Sequence, residues 1–128
     1  MALDLVTDQI QKIFDEYDRD MKRKVNNSVD KVAKESVAKL KSTSPKRPGH
    51  GEYANGWAIK RARGRNGIND LDIWNPKHYR LTHLLENGHV IRNKKGTYGR
   101  TSPIKHIKPV EDYFNSEVIE EIQRELEQ

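Results

Sequence analysis

The stretch Ile13-Phe-Asp-Glu-Tyr-Asp-Arg-Asp-Met-Lys-Arg-Lys-Val-Asn-Asn-Ser-Val-Asp-Lys-Val-Ala-Lys-Glu-Ser-Val-Ala-Lys-Leu40 decides the fold. Its apolar side chains at Ile13, Tyr17, Met21, Val25, Val29, Val32, Val37 and Leu40 recur mostly every three or four residues, the helical period. The same spacing reaches back to Ile10 and Val6, and no Pro or Gly interrupts it from Met1 to Ser44. One helix over 1–43 follows, roughly 60 Å long at about 1.5 Å per residue. That length exceeds the width of a 128-residue domain, so one end should project or bend. Four-residue steps from Ile13 to Val29 turn the apolar stripe by about 40° each, which argues against a straight two-stranded coiled coil. Asn26 and Asn27 are poor helix formers, and a bend or break near 26–27 is expected. Val25, Val29, Val32, Val37 and Leu40 read as core or subunit interface.

Beyond the helix, residues 44–52 hold two Pro and two Gly together with Lys46 and Arg47, a flexible basic loop. From Tyr53 the period changes towards two. Trp57 and Ile59 begin one strand, Leu71, Ile73 and Trp74 mark a second, and the turn Gly64-Arg-Asn-Gly67 joins them as a hairpin. A short helix is expected over 79–87, with Leu84 and Leu85 packed and Gly88 stopping it in the left-handed conformation. A third strand begins near His89, and the Gly-rich basic loop 93–102 leads on to Ile104–Ile107. The last helix spans 110–127, with Pro109 before it and a stripe through Phe114, Val118 and Ile122. The whole reads as one domain, 1–128, of the α+β class: a long N-terminal helix and a C-terminal helix on a small antiparallel sheet (53–107) that the short helix interrupts.

Composition narrows the function. Apolar residues make up 34% of the chain and charged residues 34%, and the mean hydropathy is −0.99. A core this thin suggests that some apolar surface finds its partner in another subunit. No apolar run approaches the ~20 residues of a membrane span. Met1–Ile10 carries Asp4 and Asp8 and no basic segment, so no secretory signal is expected and the reading is of a soluble protein made inside the cell. The absence of Cys excludes disulfides, thiolate metal sites and Cys nucleophiles. Charge is uneven along the chain. Residues 1–38 hold 7 basic and 8 acidic side chains, 39–108 hold 16 and 4, and 109–128 hold 1 and 7, giving −1, +12 and −6. Such a basic middle either faces nucleic acid, meets an acidic face of a neighbouring copy, or is simply a solvated surface. Its candidate residues are Lys46, Arg47, Lys60, Arg61, Arg63, Arg65, Lys94, Lys95 and Arg100.

No catalytic or metal site emerges. His78, His83 and His89 are five and six residues apart, not the i, i+4 spacing that aligns two ligands on a helix. His106 and Asn87 do not complete a His/Asn nuclease pattern. Asp70 and Asp72 share a strand face, but two carboxylates alone are a weak cation signal, and pairing with Arg61, Arg63 or Arg65 across the hairpin is the simpler reading. Trp57 and Trp74 would stack on bases if exposed; in a chain poor in large apolar residues they read as core.

Four segments in order carry a resemblance: Thr43-Ser-Pro-Lys with Gly51-Glu-Tyr-Ala-Asn-Gly-Trp57, then Trp74-Asn-Pro-Lys-His-Tyr-Arg-Leu-Thr-His-Leu-Leu-Glu-Asn-Gly-His89, then Lys95–Arg100, then Pro103-Ile-Lys-His-Ile-Lys-Pro109. Together they resemble the small tail-component family of long-tailed, double-stranded DNA phages. One departure is Lys94-Lys-Gly-Thr97, where members often carry a Gly-Gly pair. The resemblance implies an α+β virion assembly protein without catalysis, a tail-completion or neck component at the head–tail junction. It also implies head-completion, tail-terminator or tail-tube proteins as partners, a homo-oligomeric ring around the DNA path, non-specific contact with double-stranded DNA, and a place in the virion after synthesis in the host cytoplasm. The resemblance carries no cofactor. A small basic nucleic-acid-binding regulator is the alternative from a different class, and a metal-dependent nuclease a third.

Overall fold

The computed structural model describes residues 2–46, 49–64 and 67–128, and within them all side chains except those of 2–8, 14, 63 and 93. Arg47, Arg65 and the side chain of Arg63, three of the expected basic residues, lie outside the described residues. Helix α1 (Ala2–Thr43) runs without interruption through Asn26-Asn27, where the sequence leads one to expect a bend or break. Tertiary hydrogen bonds offset the poor propensity there. The Asn26 amide donates to the Gly67 carbonyl (3.0 Å), and its oxygen accepts from Asn69 N–H (2.9 Å), so the side chain pins the first hairpin turn to the helix.

Helix α4 (Ile107–Leu126) lies antiparallel along the second half of α1. The pairs that join them run in opposite directions. Lys24 Nζ reaches the terminal carbonyl of Gln128 (3.3 Å), Lys31 reaches Glu121 (3.1 Å), and the Tyr113 hydroxyl donates to Glu35 (2.8 Å). Ser28, Val32, Ser36 and Leu40, four residues apart, are buried with Ala33 at this seam. Such a row is an i, i+4 ridge, and its small side chains let two helices approach closely. Of the expected interface set, Val32 and Leu40 are buried, while Val25, Val29, Val37, Phe114, Val118 and Ile122 are half-buried.

Between the two helices the chain makes a turn of helix, α2 (Glu52–Asn55), where the sequence had suggested the approach to a strand. Strands β1 (Ala58–Arg63) and β2 (Asn69–Trp74) form an antiparallel hairpin. After helix α3 (Tyr79–Asn87), β3 (Val90–Asn93) and β4 (Gly96–Arg100) form a second one with a register shift between Val90 and Arg92. The expected single sheet is therefore two separate two-stranded ladders among the described residues. The α+β class holds, with α3 lying between the ladders in sequence.

Period two explains a correction at the first hairpin. Ile59 faces Ile73 and Arg61 faces Leu71, so these four share the inner face, while Ala58, Lys60, Trp74 and Asp72 share the outer one. Trp74 is therefore 36% exposed instead of core, with Lys60 Nζ 5.6 Å from its ring centre. The main apolar cluster joins Leu40 of α1, Tyr53, Trp57 and Val110, with Val37, Ile73, Leu85 and Ile107 packed against it. Leu84, expected to pack beside Leu85, is instead 42% exposed. The residue of α3 that is buried is Glu86.

Candidate functional site

Glu86 shows why a charged residue goes inside. Helix α4 starts at Ile107, three residues before the sequence-based start, and no side chain of its N-cap residue His106 caps it. Its first N–H groups need acceptors from elsewhere. The Glu86 carboxylate supplies them: Oε1 accepts from His106 N–H (2.7 Å) and Ile107 N–H (2.9 Å), and Oε2 from Lys108 N–H (3.0 Å). Pro109, at the third helical position, has no N–H to satisfy. Burial pushes the Glu86 carboxyl up, but the three backbone donors and the nearby His106 outweigh it and hold the group below its ordinary range.

His106 extends the same network. Its Nδ1 lies 2.7 Å from the Ile104 carbonyl, which only accepts, so Nδ1 carries the hydrogen in the neutral ring. Nε2 then accepts from the Tyr53 hydroxyl at 2.7 Å. Burial, and next the Glu86 charge, push the Tyr53 hydroxyl up to about 12. The Trp57 indole N–H donates to Ser44 Oγ (2.9 Å), and the buried Asn75 amide donates to the Tyr53 carbonyl (2.8 Å). Two glycines are needed for fit. A Cβ at Gly56 would stand 2.7 Å from Asn75 Oδ1, and one at Gly88 would stand 2.5 Å from the Thr101 carbonyl. Gly88 does end α3 at positive φ (+72°), but its ψ of 167° departs from the left-handed helical stop expected there and lies in a region that glycine alone occupies readily. Ser44, Tyr53, Gly56, Trp57, Asn75, Glu86, Gly88 and His106 all come from the segments that carry the resemblance. They form an interior knot that ties α1, α2, α3 and α4 together. Tyr53, His106 and Glu86 are thus linked to one another and to the start of α4 by consecutive hydrogen bonds.

The surfaces around that knot are better candidates for function. Beside it opens a groove of about 1270 Å³, reaching from Pro45 and Lys46 to α3. Leu81, Leu85, Ile104 and Tyr53 contribute its apolar lining, and Lys46, His50, Lys77 and His78 its basic rim, with Glu52 the acidic exception. His50 Nδ1 lies 3.7 Å from Glu52, both side chains exposed. Among the described residues, no group of three or more His, Asp or Glu is arranged to hold a metal ion.

The expected basic residues do not form one set of equivalents. Arg61 is on the inner face of its hairpin and pairs with Asp30 of α1 through Nε (2.9 Å) and Nη2, not with Asp70 or Asp72. Arg61 and then Lys34 hold the Asp30 carboxyl below its ordinary range. Arg100 donates to the Asn87 carbonyl (3.3 Å). Lys46, Lys60, Lys94 and Lys95 are exposed, divided between the loop, the first hairpin and the tip of the second. No sequence signal marks the Arg61–Asp30 pair, and with the last helix read as starting at 110, none marked Glu86 as the group that caps α4 at Ile107.

The first half of α1 is the other candidate. N-terminal to Lys24, α4 has ended, and the helix continues for some twenty residues, about 30 Å. Ile10, Ile13 and Tyr17 lie on one face at i, i+3 and i+7, and are 48%, 65% and 63% exposed. Among the described residues, the hydrogen bonds and ion pairs of 9–20 stay within the helix, as in Gln11–Asp15 (3.0 Å) and Lys22–Asp18 (2.8 Å). No described helix is long and apolar enough to cross a membrane.

No curated protein and no solved structure matches the chain. The family described as "Bacteriophage HK97-gp10, putative tail-component" matches residues 8–88, which take in α1 from its third turn, α2, the first hairpin and α3 up to Gly88. The second hairpin and α4 lie beyond the matched span. With nearly two thirds of its length inside that match, including the projecting half of α1 and the Glu86 segment, the chain belongs to the HK97-gp10-like family of bacteriophage tail components.

Proposed function

We propose that this chain is a tail-completion or neck component, joining head and tail by forming an oligomer and docking on neighbouring virion proteins. The observation that carries the reading is the exposed apolar face of Ile10, Ile13 and Tyr17 on a helix that extends past the core. A monomer with a thin core gains nothing by presenting such a face to water; a subunit awaiting a neighbour does. The partners are other copies of the chain and the head-completion, tail-terminator or tail-tube proteins of the particle. The excess of 16 basic over 4 acidic residues in 39–108 suits a surface that lies along double-stranded DNA and attracts phosphate without reading sequence. The role is structural, without turnover.

The test is complementation. Phage lacking this chain should accumulate heads and tails that do not join, and adding the purified protein should restore infectious particles. Particles that assemble fully without it would refute the proposal. A salt titration separates the regulator reading: a connector binds all DNA sequences alike, and its affinity falls steeply with salt, whereas a regulator keeps a preferred sequence.

A further inference from the structure

Resting on the oligomer proposed above, we infer that the projecting half of α1 in one copy occupies the groove beside α3 in the next. Three observations carry this. The first is chemical fit. By helical position, Glu16 and Asp20 line one edge of the Ile10–Ile13–Tyr17 face. The groove offers Leu81 and Ile104, 42% and 45% exposed, inside a rim of Lys46, Lys77 and His78. An apolar, acidic helix face meets an apolar, basic groove.

The second is reach. Ile13 and Thr43 are thirty residues apart on one unbroken helix, about 45 Å along its axis, and the groove starts at Pro45. The arm of a chain cannot fold back into its own groove without breaking α1, so the occupant comes from a second copy. The third is size. At about 1270 Å³ the groove is larger than the ~300–1,000 Å³ of a small-molecule site, as the side of a helix requires. Arm and groove are different surfaces, so the contact is heterologous. Repeated from copy to copy, it closes into a ring if the rotation permits.

The chain has no Cys, so a single introduced thiol can be labelled uniquely. The experiment places a photo-crosslinker on Leu81→Cys in the full-length protein, at concentrations where light scattering detects oligomers and again in assembled particles. Mass spectrometry then identifies the adducts. Adducts to residues 9–20 of another copy are expected. The double variant Ile13→Ala/Tyr17→Ala, at exposed positions where Ala favours the helix and adds no charge, should weaken self-association by about tenfold or more. Adducts to another part of the chain, to another virion protein, or no adducts while oligomers are present, overturn the inference. So does unchanged self-association of the double variant, and in these cases the oligomer itself stands. A wild-type chain that stays monomeric in solution and in the particle overturns both.

Discussion

The two halves of α1 share one helix and one hydrophobic period, yet they have opposite fates. From Lys24 to Leu40 the small side chains Ser28, Val32, Ala33 and Ser36 are sealed against α4, and Lys31, Glu35 and Lys39 are engaged by Glu121 and Tyr113. From Gln9 to Asp20 larger apolar side chains stand in water, and the polar contacts close within the helix. Side-chain size explains part of the difference. Small residues allow a second helix to approach and exclude water, whereas Ile13 and Tyr17 need a groove to receive them.

The largest way to break this contrast is truncation in the buried half. Leu40→Ala removes a side chain from the main cluster and should cost about 2–5 kcal/mol in urea unfolding, while Ile13→Ala should change stability by less than about 0.5 kcal/mol. Equal losses at the two positions would mean that the arm is packed within the monomer. Next comes Glu86→Ala, which leaves three N–H groups at the start of α4 without their acceptor. We expect a loss of about 3 kcal/mol and selective fraying of the α1–α4 seam, followed by amide exchange.

The pH dependence follows in sign. Glu86, Asp30 and Glu121 are all held below the ordinary carboxylate range in the folded chain. Their stabilisation is complete above the unfolded values, about 4, and is lost as pH falls through the lowered folded values. Glu86→Gln should therefore flatten the acid limb of the stability curve, and an unchanged limb would contradict the assignment. A smaller effect is expected at the boundary between the halves. Asn26→Ala gains helix propensity but loses two exposed hydrogen bonds to the first hairpin turn, for a net cost of about 1 kcal/mol. Arg61→Ala, exposed and paired with Asp30, should cost no more than about 1 kcal/mol.

Much of this architecture was legible in the residues. The three-and-four spacing and the absence of Pro and Gly pointed to α1, and the alternation around Ile59 and Ile73 to the first hairpin; of the residues read as core or subunit interface, Trp57, Val32 and Leu40 are buried. Periodicity names faces but not their partners, and this is where the reading stops. Leu84 and Leu85 look alike in sequence, yet only Leu85 meets the cluster. Trp74 carries more apolar surface than Ile73, but period two gives the inner face to Ile73. Glu86 is buried because of a helix that starts twenty-one residues later. The basic residues were visible as charge, whereas the turning of Arg61 inward to Asp30 depends on how the hairpin lies against α1.

Native-state amide exchange along α1 tests the division most directly. In the isolated monomer, amides of 28–40 should exchange only through global unfolding, and those of 9–20 through local fraying, many times faster. On assembly, protection should spread into 9–20. Uniform protection along the helix in the monomer, or an arm still unprotected in the assembled particle, would contradict the account.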